Sequence, residues 1–528
     1  MRRPITVRGA LVVCLAPLLS LVFASSCGDP FAPIIEWSWT ASTVLPTSLN
    51  VMSVPSVIDL DGDHVPEVVF PSTADTGGGL IEVGVLRAIH GKDGSDYFTV
   101  TDPSLAVNTA SSVATGDIDG DGKPEIIACD SSGLHLIAFE HDGTFKWRSA
   151  TLERSVNWGA PAIADLNGDG VPEIVIGRQV LDNTGAILWT GSGGFGGDTV
   201  GSLSHVADID DDGSPDVVAG NTVYNANGTI KWQNTDIPDG LTGVADFDGD
   251  GRAEVVVVSG GNVYLLDDDG KKIWGPSPIP GGGAGGPPTV ADYDGDGQPE
   301  IGVAGAVRYA VFETDGSLKW SAVTQDGSSN RTGSSVFDFE GDGAAEVVYH
   351  DELHLFIFRG TDGAVLYSTP NSSCTWYEYP LVADVDGDDR AEIVAVGNTN
   401  CGFGPSHGIY VFGDSLDKWV PTRRIWNEHT YHITNVAEDG TIPPFEQNNW
   451  DVPNFNNFRL NTYGVFEGPR CDIDRDRDVD VNDIDAIFAA RGALAVPGDA
   501  RDFDGDGMVT VNDARACVLT CTRPNCAP

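Results

Sequence analysis

Acidic side chains recur along this 528-residue chain at a spacing that suits a bound cation. Eight segments carry an oxygen-bearing side chain at positions 1, 3, 5 and 9, mostly as Asp-x-Asp-x-Asp-x-x-x-Glu. In a tight turn the first three side chains point to one side, and a backbone carbonyl at position 7 completes an all-oxygen shell. Such a shell suits Ca²⁺, which takes about six to eight oxygen ligands, better than Mg²⁺, which keeps several waters. The candidate ligands are Asp59, Asp61, Asp63, Glu67, Asp117, Asp119, Asp121, Glu125, Asp165, Asn167, Asp169, Glu173, Asp208, Asp210, Asp212, Asp216, Asp246, Asp248, Asp250, Glu254, Asp292, Asp294, Asp296, Glu300, Asp338, Glu340, Asp342, Glu346, Asp384, Asp386, Asp388 and Glu392.

The regular recurrence of these loops distinguishes them from ordinary solvated acidic turns. A solvated turn would explain one isolated copy, but the eight copies begin 38 to 58 residues apart and each leads into a run of Val and Ile. A period of this size indicates a repeat architecture. Because the apolar run starts at position 9, each loop joins two strands. An EF-hand differs, since its last ligand stands at position 12 and starts a helix.

A second pattern follows each loop: an apolar strand, a turn such as Asp-Gly, and a strand that often ends in Trp. Segments 136–147, 263–274 and 311–320 are examples. Asp-Gly between alternating apolar residues is a hairpin signal, so one repeat contains four strands, as a propeller blade does. The expected fold class is mainly β, a calcium-binding β-propeller with eight blades, or seven if one unit serves as a cap. Residues 34–39 look like a further fourth strand that would pair with the last blade and close the ring.

The acidic loops and their flanking strands resemble the FG-GAP/VCBS repeats of integrin-α-type β-propellers. Residues 159–161 (Gly-Ala-Pro) and 286–288 (Gly-Pro-Pro) match one part of that motif, and residues 195–197 (Phe-Gly-Gly) match the other. The resemblance covers roughly residues 35 to 420. It implies the propeller fold and leaves the function open, because propellers carry many unrelated activities.

The overall charge limits the classes of partner. The formal net charge is −48, and the basic pair Arg423 and Arg424, interpreted as structural, does not offset it. Such a field disfavours binding to nucleic acid and to anionic membranes. We therefore expect no nucleic-acid partner, and membrane association only through a lipid anchor.

The N-terminal residues indicate export. Residues 1–26 have a positive start and an apolar core from 10 to 23, as a signal peptide does. Residues 24–27 resemble a bacterial lipobox, which implies cleavage before Cys27 and lipidation of its thiol. The alternative is ordinary signal-peptidase cleavage after Ser26, with Cys27 free or disulfide-bonded. The expected location is the bacterial outer membrane or cell surface as a lipoprotein, or the extracellular space.

The remaining cysteines suit an oxidising compartment. Cys374 and Cys401 flank one acidic loop and are a candidate disulfide, whereas Cys129 is a candidate free thiol. The C-terminal candidates Cys471, Cys517, Cys521 and Cys526 allow three connectivities that sequence cannot rank.

The C-terminal region, residues 469–528, carries two further calcium-loop patterns. Position 12 is occupied there and a helical run follows, which is EF-hand-type geometry. The pair resembles a type I dockerin, although Arg477 replaces the Gly expected at position 6 of the first loop. The resemblance implies a cohesin-like partner contacted near residues 481–482 and 511–512 (both Val-Asn), and the alternative is a stabilising cap or stalk. The candidate ligands are Asp472, Asp474, Asp476, Asp480, Asp483, Asp502, Asp504, Asp506, Thr510 and Asp513.

Residues 419–468 interrupt the repeats with a Trp-, His- and Asn-rich segment. One interpretation is a ligand or catalytic patch built from Arg424, His429, Tyr431 and His432. The favoured one is a segment packed on the propeller of residues 27–418. Similar segments follow VCBS repeats in other bacterial surface proteins.

The two ends of a propeller differ in their capacity to bind ligands. The acidic loops and Asp-Gly turns share one end, and the links of variable length share the other, which is where binding is expected. Its aromatic and basic candidates are Trp158, Phe195, Arg331, Trp376 and Tyr377.

The leading hypothesis is a surface-anchored, calcium-dependent module that binds carbohydrate or an extracellular protein. The alternatives are a polysaccharide-acting lyase on an eight-bladed propeller and a structural spacer. No catalytic residues are assigned, because residues 350–354 (His-Asp-Glu-Leu-His) lack the spacing of the helical zinc motif.

Overall fold

The computed structural model describes residues 31–74, 83–197, 201–462, 481–493, 501, 503 and 508–518. The predicted signal peptide and Cys27 lie outside these residues. So do the tail residues Cys471, Asp472, Asp474, Asp476, Asp480, Asp502, Asp504, Asp506, Cys521 and Cys526.

The described chain forms eight antiparallel sheets, the blades of a β-propeller. The expectation of eight blades is confirmed. Successive blades use β3–β6, β8–β11, β12–β15, β16–β19, β20–β23, β24–β27, β28–β31, and β32–β34 with β1; β2 and β7 add to blade 1. The strands are β1 Pro33–Trp39, β2 Ser48–Asn50, β3 Ser56–Ile58, β4 Glu67–Ala74, β5 Val83–His90, β6 Asp96–Thr99, β7 Val107–Asn108, β8 Ala114–Gly116, β9 Glu125–Cys129, β10 Leu136–Phe139, β11 Phe145–Arg148, β12 Ala162–Ala164, β13 Glu173–Ile176, β14 Gln179–Leu181, β15 Ile187–Thr190, β16 His205–Ala207, β17 Asp216–Ala219, β18 Thr222–Asn225, β19 Ile230–Gln233, β20 Leu241–Ala245, β21 Glu254–Ser259, β22 Asn262–Leu266, β23 Lys272–Pro278, β24 Thr289–Ala291, β25 Glu300–Ala304, β26 Arg308–Phe312, β27 Leu318–Val323, β28 Ser334–Phe337, β29 Glu346–His350, β30 His354–Phe358, β31 Val365–Pro370, β32 Leu381–Ala383, β33 Glu392–Gly397 and β34 Gly408–Asp414.

The first strands of neighbouring blades contact one another, for example β3 with β8 and β24 with β28, so they surround the axis. The second strands are buried along their whole length in blades 2 to 8, because the neighbouring blades cover both of their faces. This explains why those segments read as unbroken Val and Ile runs rather than as alternating patterns.

The ring is closed by the N-terminal strand. β1 pairs antiparallel with β34, with Pro33 opposite Asp414 and Trp39 opposite Ile409. It supplies the fourth strand of blade 8, as its Trp-bearing pattern predicts. Closure of this kind leaves no open edge between the first and last blades.

An aromatic ring on the fourth strand of one blade packs on the hairpin turn of the next blade. At seven of the eight blade interfaces that ring covers a glycine whose φ lies between 70° and 82°, and a Cβ added there would lie 2.3–2.7 Å from the ring. In five cases the indole N–H also donates to a carbonyl of that turn. The ring–glycine pairs are Trp37–Gly94, Phe98–Gly143, Trp147–Gly185, Trp189–Gly228, Trp232–Gly270, Trp274–Gly316 and Trp320–Gly363.

Residues 419–462, here called the central segment, run along the axis against the first strands. They contain two 3₁₀ turns, Ile433–Asn435 and Asn449–Asp451; a third 3₁₀ turn, Pro103–Leu105, lies in a link of the ring. Backbone bridges join the segment to blades 1, 2, 6 and 7, through the pairs Trp426–Val57, Thr441–Asp117, Phe458–Val290 and Leu460–Val336.

The fully buried Arg459 fixes the central segment further. Its guanidinium donates to the Thr242 carbonyl of blade 5 at 3.3 Å and to the Pro288 carbonyl beside blade 6 at 2.5 Å. The guanidinium also lies 4.8 Å from the ring centroid of Phe458. The described central segment therefore occupies the axis of the ring.

The described part of the tail contains two helices, α1 (Val481–Ala489) and α2 (Val511–Cys517). Ile484, Ile487, Val509 and Ala514 form a small apolar cluster between them. Among the described residues, no helix is long and apolar enough to span a bilayer.

Candidate metal loops and ligand face

Each acidic loop connects the first and second strands of its blade and curls around the Asp at position 1. In blade 2, the Asp117 carboxylate accepts hydrogen bonds from the N–H groups of Gly120 (2.7 Å) and Gly122 (2.9 Å). Both glycines have positive φ, 77° and 82°, which side chains resist. The turn thus holds one carboxylate at its centre before any ligand is considered.

The acid at position 9 is buried at the start of the second strand. Glu125, fully buried, accepts from the Ile118 N–H through Oε2 at 3.0 Å. The same bond forms in the other six blades that carry Glu at this position. The second carboxylate oxygen remains for the loop, as in blade 3, where Glu173 Oε1 accepts from the Asn167 amide at 2.7 Å.

These carboxylates could hold a metal ion. In blade 8, ligand oxygens from Asp384, Asp386, Asp388 and Glu392 lie within 4.8 Å of one another, and several other blades bring three acids together in the same way. An all-oxygen donor set of this charge fits a hard cation such as Ca²⁺. The residues of these loops therefore fit the calcium ion that the loop pattern implies.

Burial and mutual repulsion oppose the ionised form of these acids. The pKa of Glu254 is raised to about 8, first by burial and then by repulsion from Asp248, Asp246 and Asp250. Burial also raises the pKa of Glu392, with further repulsion from Asp384 and Asp386. A bound cation would remove this unfavourable electrostatic energy.

Three loops contain a lysine ammonium that comes from the fourth strand of their own blade. Lys146, Lys231 and Lys319 lie on the fourth strands of blades 2, 4 and 6, and each extends into the acids of its own blade. Burial lowers the pKa of Lys146, but its bonds to Asp119, Glu125 and Glu140 together raise it by more, so the ammonium stays protonated. Sequence reasoning missed these lysines because they stand more than one strand away from the loop. The signal was present, since each directly precedes the Trp of its repeat.

The other loops have different neighbours. In blade 1, His90 Nδ1 lies 3.0 Å from Glu67 Oε1. In blade 3, the Asn167 amide donates to Glu173 at 2.7 Å. In blade 8, Arg424 of the central segment lies 3.0 Å from Asp384. The eight loops have the same backbone turn, but their carboxylates have different charged and polar neighbours.

At the opposite end of the ring, four of the five ligand-face candidates come together. Trp158 follows blade 2 and Trp376 follows blade 7, yet their ring centroids are 4.6 Å apart. The Arg331 guanidinium lies 5.4 Å from the Trp376 ring, and its Nη1 is 3.4 Å from the Tyr377 hydroxyl. Both Trp rings are half-buried and Tyr377 is buried. The fifth candidate, Phe195, is buried in the core and covered by Arg154 instead.

Buried acids hold this aromatic group in place. Asp326, fully buried, accepts from the Arg331 N–H at 2.9 Å and from the Thr375 hydroxyl. Glu378, also buried, accepts from the Trp376 N–H. Hydrogen bonds of this kind fix the backbone that carries the aromatic side chains.

A disulfide also fixes the link that carries Trp376. Cys374 and Cys401 form a disulfide beside Trp376. Cys129 is a buried free thiol, and Cys517 of the tail is disulfide-bonded.

The polar candidates of the central segment do not form one exposed patch. His429 is buried, which lowers its pKa to about 3, and its Nε2 lies 2.9 Å from the Tyr377 carbonyl. Tyr431 contacts Asn461 and Arg423, and His432 pairs with Glu446. These buried side chains therefore anchor the central segment through hydrogen bonds. His432 also lines a cavity of about 10 Å³, room for about one water.

In the tail, Asp483 and Asp513 are each the third residue of a helix and both are buried. The Asp513 carboxylate accepts from the N–H of Thr510 at 2.6 Å and from its hydroxyl at 2.9 Å. The two described position-12 acids thus occupy equivalent places. The other candidate ligands except Thr510 lie outside the described residues.

Comparison with known proteins supports the repeat assignment. The FG-GAP-like repeat model matches residues 117–176 and 246–303. Each match runs from the acidic loop and the last three strands of one blade into the next blade, from blade 2 into blade 3 and from blade 5 into blade 6. No curated protein matches the sequence.

Among solved structures, the V. cholerae biofilm matrix protein Bap1 matches with a TM-score of 0.72 and 22% identity, over 82% of this chain and 100% of that one. A Bacillus licheniformis rhamnogalacturonan lyase of family PL11 matches with a TM-score of 0.51 and 17% identity, over 79% of this chain and 78% of that one. At these identities the likeness shows a shared propeller fold.

Proposed function

We propose that this protein is an exported, calcium-binding propeller that binds extracellular carbohydrate through the end of the ring that carries Trp158 and Trp376. The observation that carries the proposal is the meeting of these two half-buried indoles at a ring centroid distance of 4.6 Å, from links that leave blades 2 and 7. Aromatic faces that remain partly in water are suited to stack on sugar rings.

The contrast between the two ends of the ring supports this choice of surface. The acidic loops repeat the same turn, and the central segment contacts several of them, for example through Arg424 and Thr441. The opposite end has links of different lengths held by Asp326 and Glu378 on a rigid ring. Binding groups commonly lie on such varied loops over a fixed scaffold.

The matrix setting is consistent with the proposal. The solved propeller Bap1 is a biofilm matrix protein, which supports a role outside the cell for this fold. Because this chain has a net charge of −48, we expect neutral glycans to bind better than polyanions.

A glycan array with the purified exported protein in calcium is the direct test. Trp158→Ala and Trp376→Ala should each weaken binding about tenfold or more, since stacking on a sugar is lost. Phe445→Ala is the matched control, because Phe445 is a 78% exposed aromatic residue near the acidic loop of blade 3. Equal binding by all four proteins, or capture of an extracellular protein instead of any glycan, would reject the carbohydrate proposal.

A polysaccharide lyase is the competing function, because the rhamnogalacturonan lyase shares the fold. Incubation with uronic-acid polymers, followed by the ultraviolet absorbance of unsaturated products, separates the two. We expect no product. Product formation that survives Trp158→Ala and Trp376→Ala would favour a lyase.

Anchoring and docking complete the proposal. A lipid on Cys27 would hold the protein at the cell surface, and the tail, with calcium-loop patterns and helices α1 and α2, would engage a cohesin-like partner. In this arrangement the propeller presents its ligand face outside the cell.

A further inference from the structure

The fourth strand of every blade contains a bulge beside the acidic loop. In all eight blades the pairing register shifts just before the aromatic residue, so one residue lacks a cross-strand partner. A bulge redirects the side chain of its extra residue. In ring order from blade 1, these residues are Tyr97, Lys146, Leu188, Lys231, Ile273, Lys319, Leu366 and Glu36. Lysine therefore stands in alternate blades, 2, 4 and 6.

Each of the three lysines contacts the oxygens that a metal ion in its loop would use. Lys146 Nζ lies 2.6 Å from Asp119 Oδ2 at position 3 and 3.0 Å from Glu125 Oε1 at position 9. A third carboxylate, that of Glu140 directly after the third strand, lies 3.1 Å away. The Lys146 side chain is only 16% exposed, so its charge lies inside the cluster.

The other two lysines repeat this geometry. Lys231 Nζ lies 2.6 Å from Asp210 and 2.8 Å from Asp216. Lys319 Nζ lies 2.5 Å from Asp294 and 3.1 Å from Glu300, with Glu313 in the place of Glu140 at 3.1 Å. An ammonium has three donors and no acceptor, so three carboxylates satisfy it fully.

We propose that Lys146, Lys231 and Lys319 are the resident cations of their loops, so that blades 2, 4 and 6 hold no metal ion and Ca²⁺ is confined to blades 1, 3, 5, 7 and 8. A Ca²⁺ ion entering one of the three loops would have to displace the ammonium from the same oxygens or lie against a like charge. The inference rests on the proposed calcium binding and refines which loops take part.

The remaining blades lack this internal charge at the bulge. Leu188, Ile273 and Leu366 are uncharged, Tyr97 is a phenol, and in blade 8 the residue is Glu36, an additional acid. Burial and the nearby Asp386 and Asp388 raise the pKa of Glu36 to about 7. In blade 8 the Arg424 guanidinium of the central segment pairs with Asp384 at 3.0 Å, which leaves Asp386, Asp388 and Glu392 for an external cation. The loops of blades 1, 3, 5, 7 and 8 thus have no ammonium at the bulge.

Counting bound calcium tests the assignment. The full exported chain is saturated with Ca²⁺, freed of excess by desalting, and analysed for calcium per protein by plasma emission. The comparison includes the triple variant Lys146→Leu, Lys231→Leu, Lys319→Leu, together with Leu188→Lys, which places an ammonium in blade 3 at a position 52% exposed and so able to accept it. Lys272→Leu is the matched control, an exposed lysine next to the bulge of blade 5. Differences between variants are independent of calcium held by the tail.

We expect the triple variant to hold three more ions than the wild type, Leu188→Lys to hold one fewer, and Lys272→Leu to be unchanged. The single variant Lys146→Leu, expected to gain one ion, covers the case in which the triple variant does not fold. An unchanged count in the lysine-to-leucine variants overturns the inference.

The count also separates this inference from the proposed calcium dependence. Suppose that the wild type binds no calcium but the triple variant gains three ions. That result would reject calcium dependence and support the lysine assignment. No calcium in any protein would reject both.

Discussion

The contact between Trp232 of blade 4 and Gly270 of blade 5 gives a test of what joins the blades. Trp232→Ala removes the ring and its hydrogen bond to the Asp268 carbonyl, which is 2.6 Å long. Trp232→Phe keeps a ring and loses only the bond. Blade 1 already uses this arrangement, because Phe98 covers Gly143 there.

The size of the effect follows from the geometry. Loss of the hydrogen bond costs about 1 kcal/mol. The half-buried ring removes on the order of 100 Å² of apolar surface from water, worth about 2.5 kcal/mol. We therefore expect Trp232→Ala to lower the free energy of unfolding by about 3–4 kcal/mol and Trp232→Phe by about 1 kcal/mol. An unfolding entropy of about 2.1 cal/mol/K per residue over residues 31–462 converts the larger loss to a fall in Tm of about 4 °C.

Gly270→Ala adds a test that depends on the ring itself. The glycine has φ of 78°, and an added Cβ would lie 2.6 Å from the Trp232 ring. The backbone cost of about 1–2 kcal/mol is present in any background, whereas the steric cost exists only while the ring is present. Gly270→Ala should therefore cost more in the wild type than in Trp232→Ala.

Urea unfolding in excess calcium, followed by far-ultraviolet circular dichroism, measures these changes. Ile230→Ala is the control, since Ile230 lies on the same strand and is 39% exposed. The reasoning fails if Trp232→Ala matches the wild type, if Trp232→Phe loses as much as Trp232→Ala, or if Gly270→Ala costs the same in both backgrounds.

Four further outcomes are expected. Chelation with EDTA should lower Tm and added calcium should restore it, because each loop filled at 100-fold over its Kd adds about 2.7 kcal/mol; an unchanged Tm would contradict calcium binding. The chelated protein should have a higher Tm at pH about 5 than at pH about 8.5. The reason is that the pKa of Glu254 is raised to about 8 in the folded state. Protonation of Glu254 therefore stabilises the folded state fully below the unfolded pKa, and this stabilisation is lost as the pH rises through about 8. A Tm that falls on acidification of the chelated protein would argue against this sign. Cys27→Ser should release the protein from membrane fractions or block its processing, and a variant that stays membrane-bound would exclude lipidation. Replacing both Val-Asn pairs, 481–482 and 511–512, should abolish a pull-down from surface extract that the wild-type chain supports; failure of the wild type to capture any partner would leave the tail as a cap.

The blades and the ring closure could be predicted because their signals are local. Each acidic loop is continuous in sequence and directly precedes its buried strand, as at Asp117 to Glu125. The closing strand was recognisable because residues 34–39 repeat the Trp-bearing pattern of other fourth strands. The two additional strands of blade 1 were not, since Ser48–Asn50 and Val107–Asn108 are too short to show a period.

The features that sequence reasoning missed depend on register and on distant contacts. The bulge that directs Lys146 toward Glu125 becomes visible only when the strand pairing is known. The meeting of Trp158 with Trp376 depends on where the ring places the ends of blades 2 and 7, and no local pattern contains that information. Phe195 is aromatic like Trp158 and Trp376 but faces inward, because the backbone N–H of Phe195 donates a hydrogen bond to Asp239 and fixes its loop.

The two ends of the described propeller chain also determine how it would respond to mechanical force. Tension between residues 31 and 462 enters through β1, whose first residue Pro33 pairs with the last residue of β34, and through the central segment on the axis. The first closes the ring and the second fills its axis, whereas β2 to β34 lie between them along the chain. Pulling would therefore strip the closing strand and draw on the axial segment before it stretched the blades that carry Trp158 and Trp376. A surface protein built in this order would yield at its closure first, while most blades stayed folded.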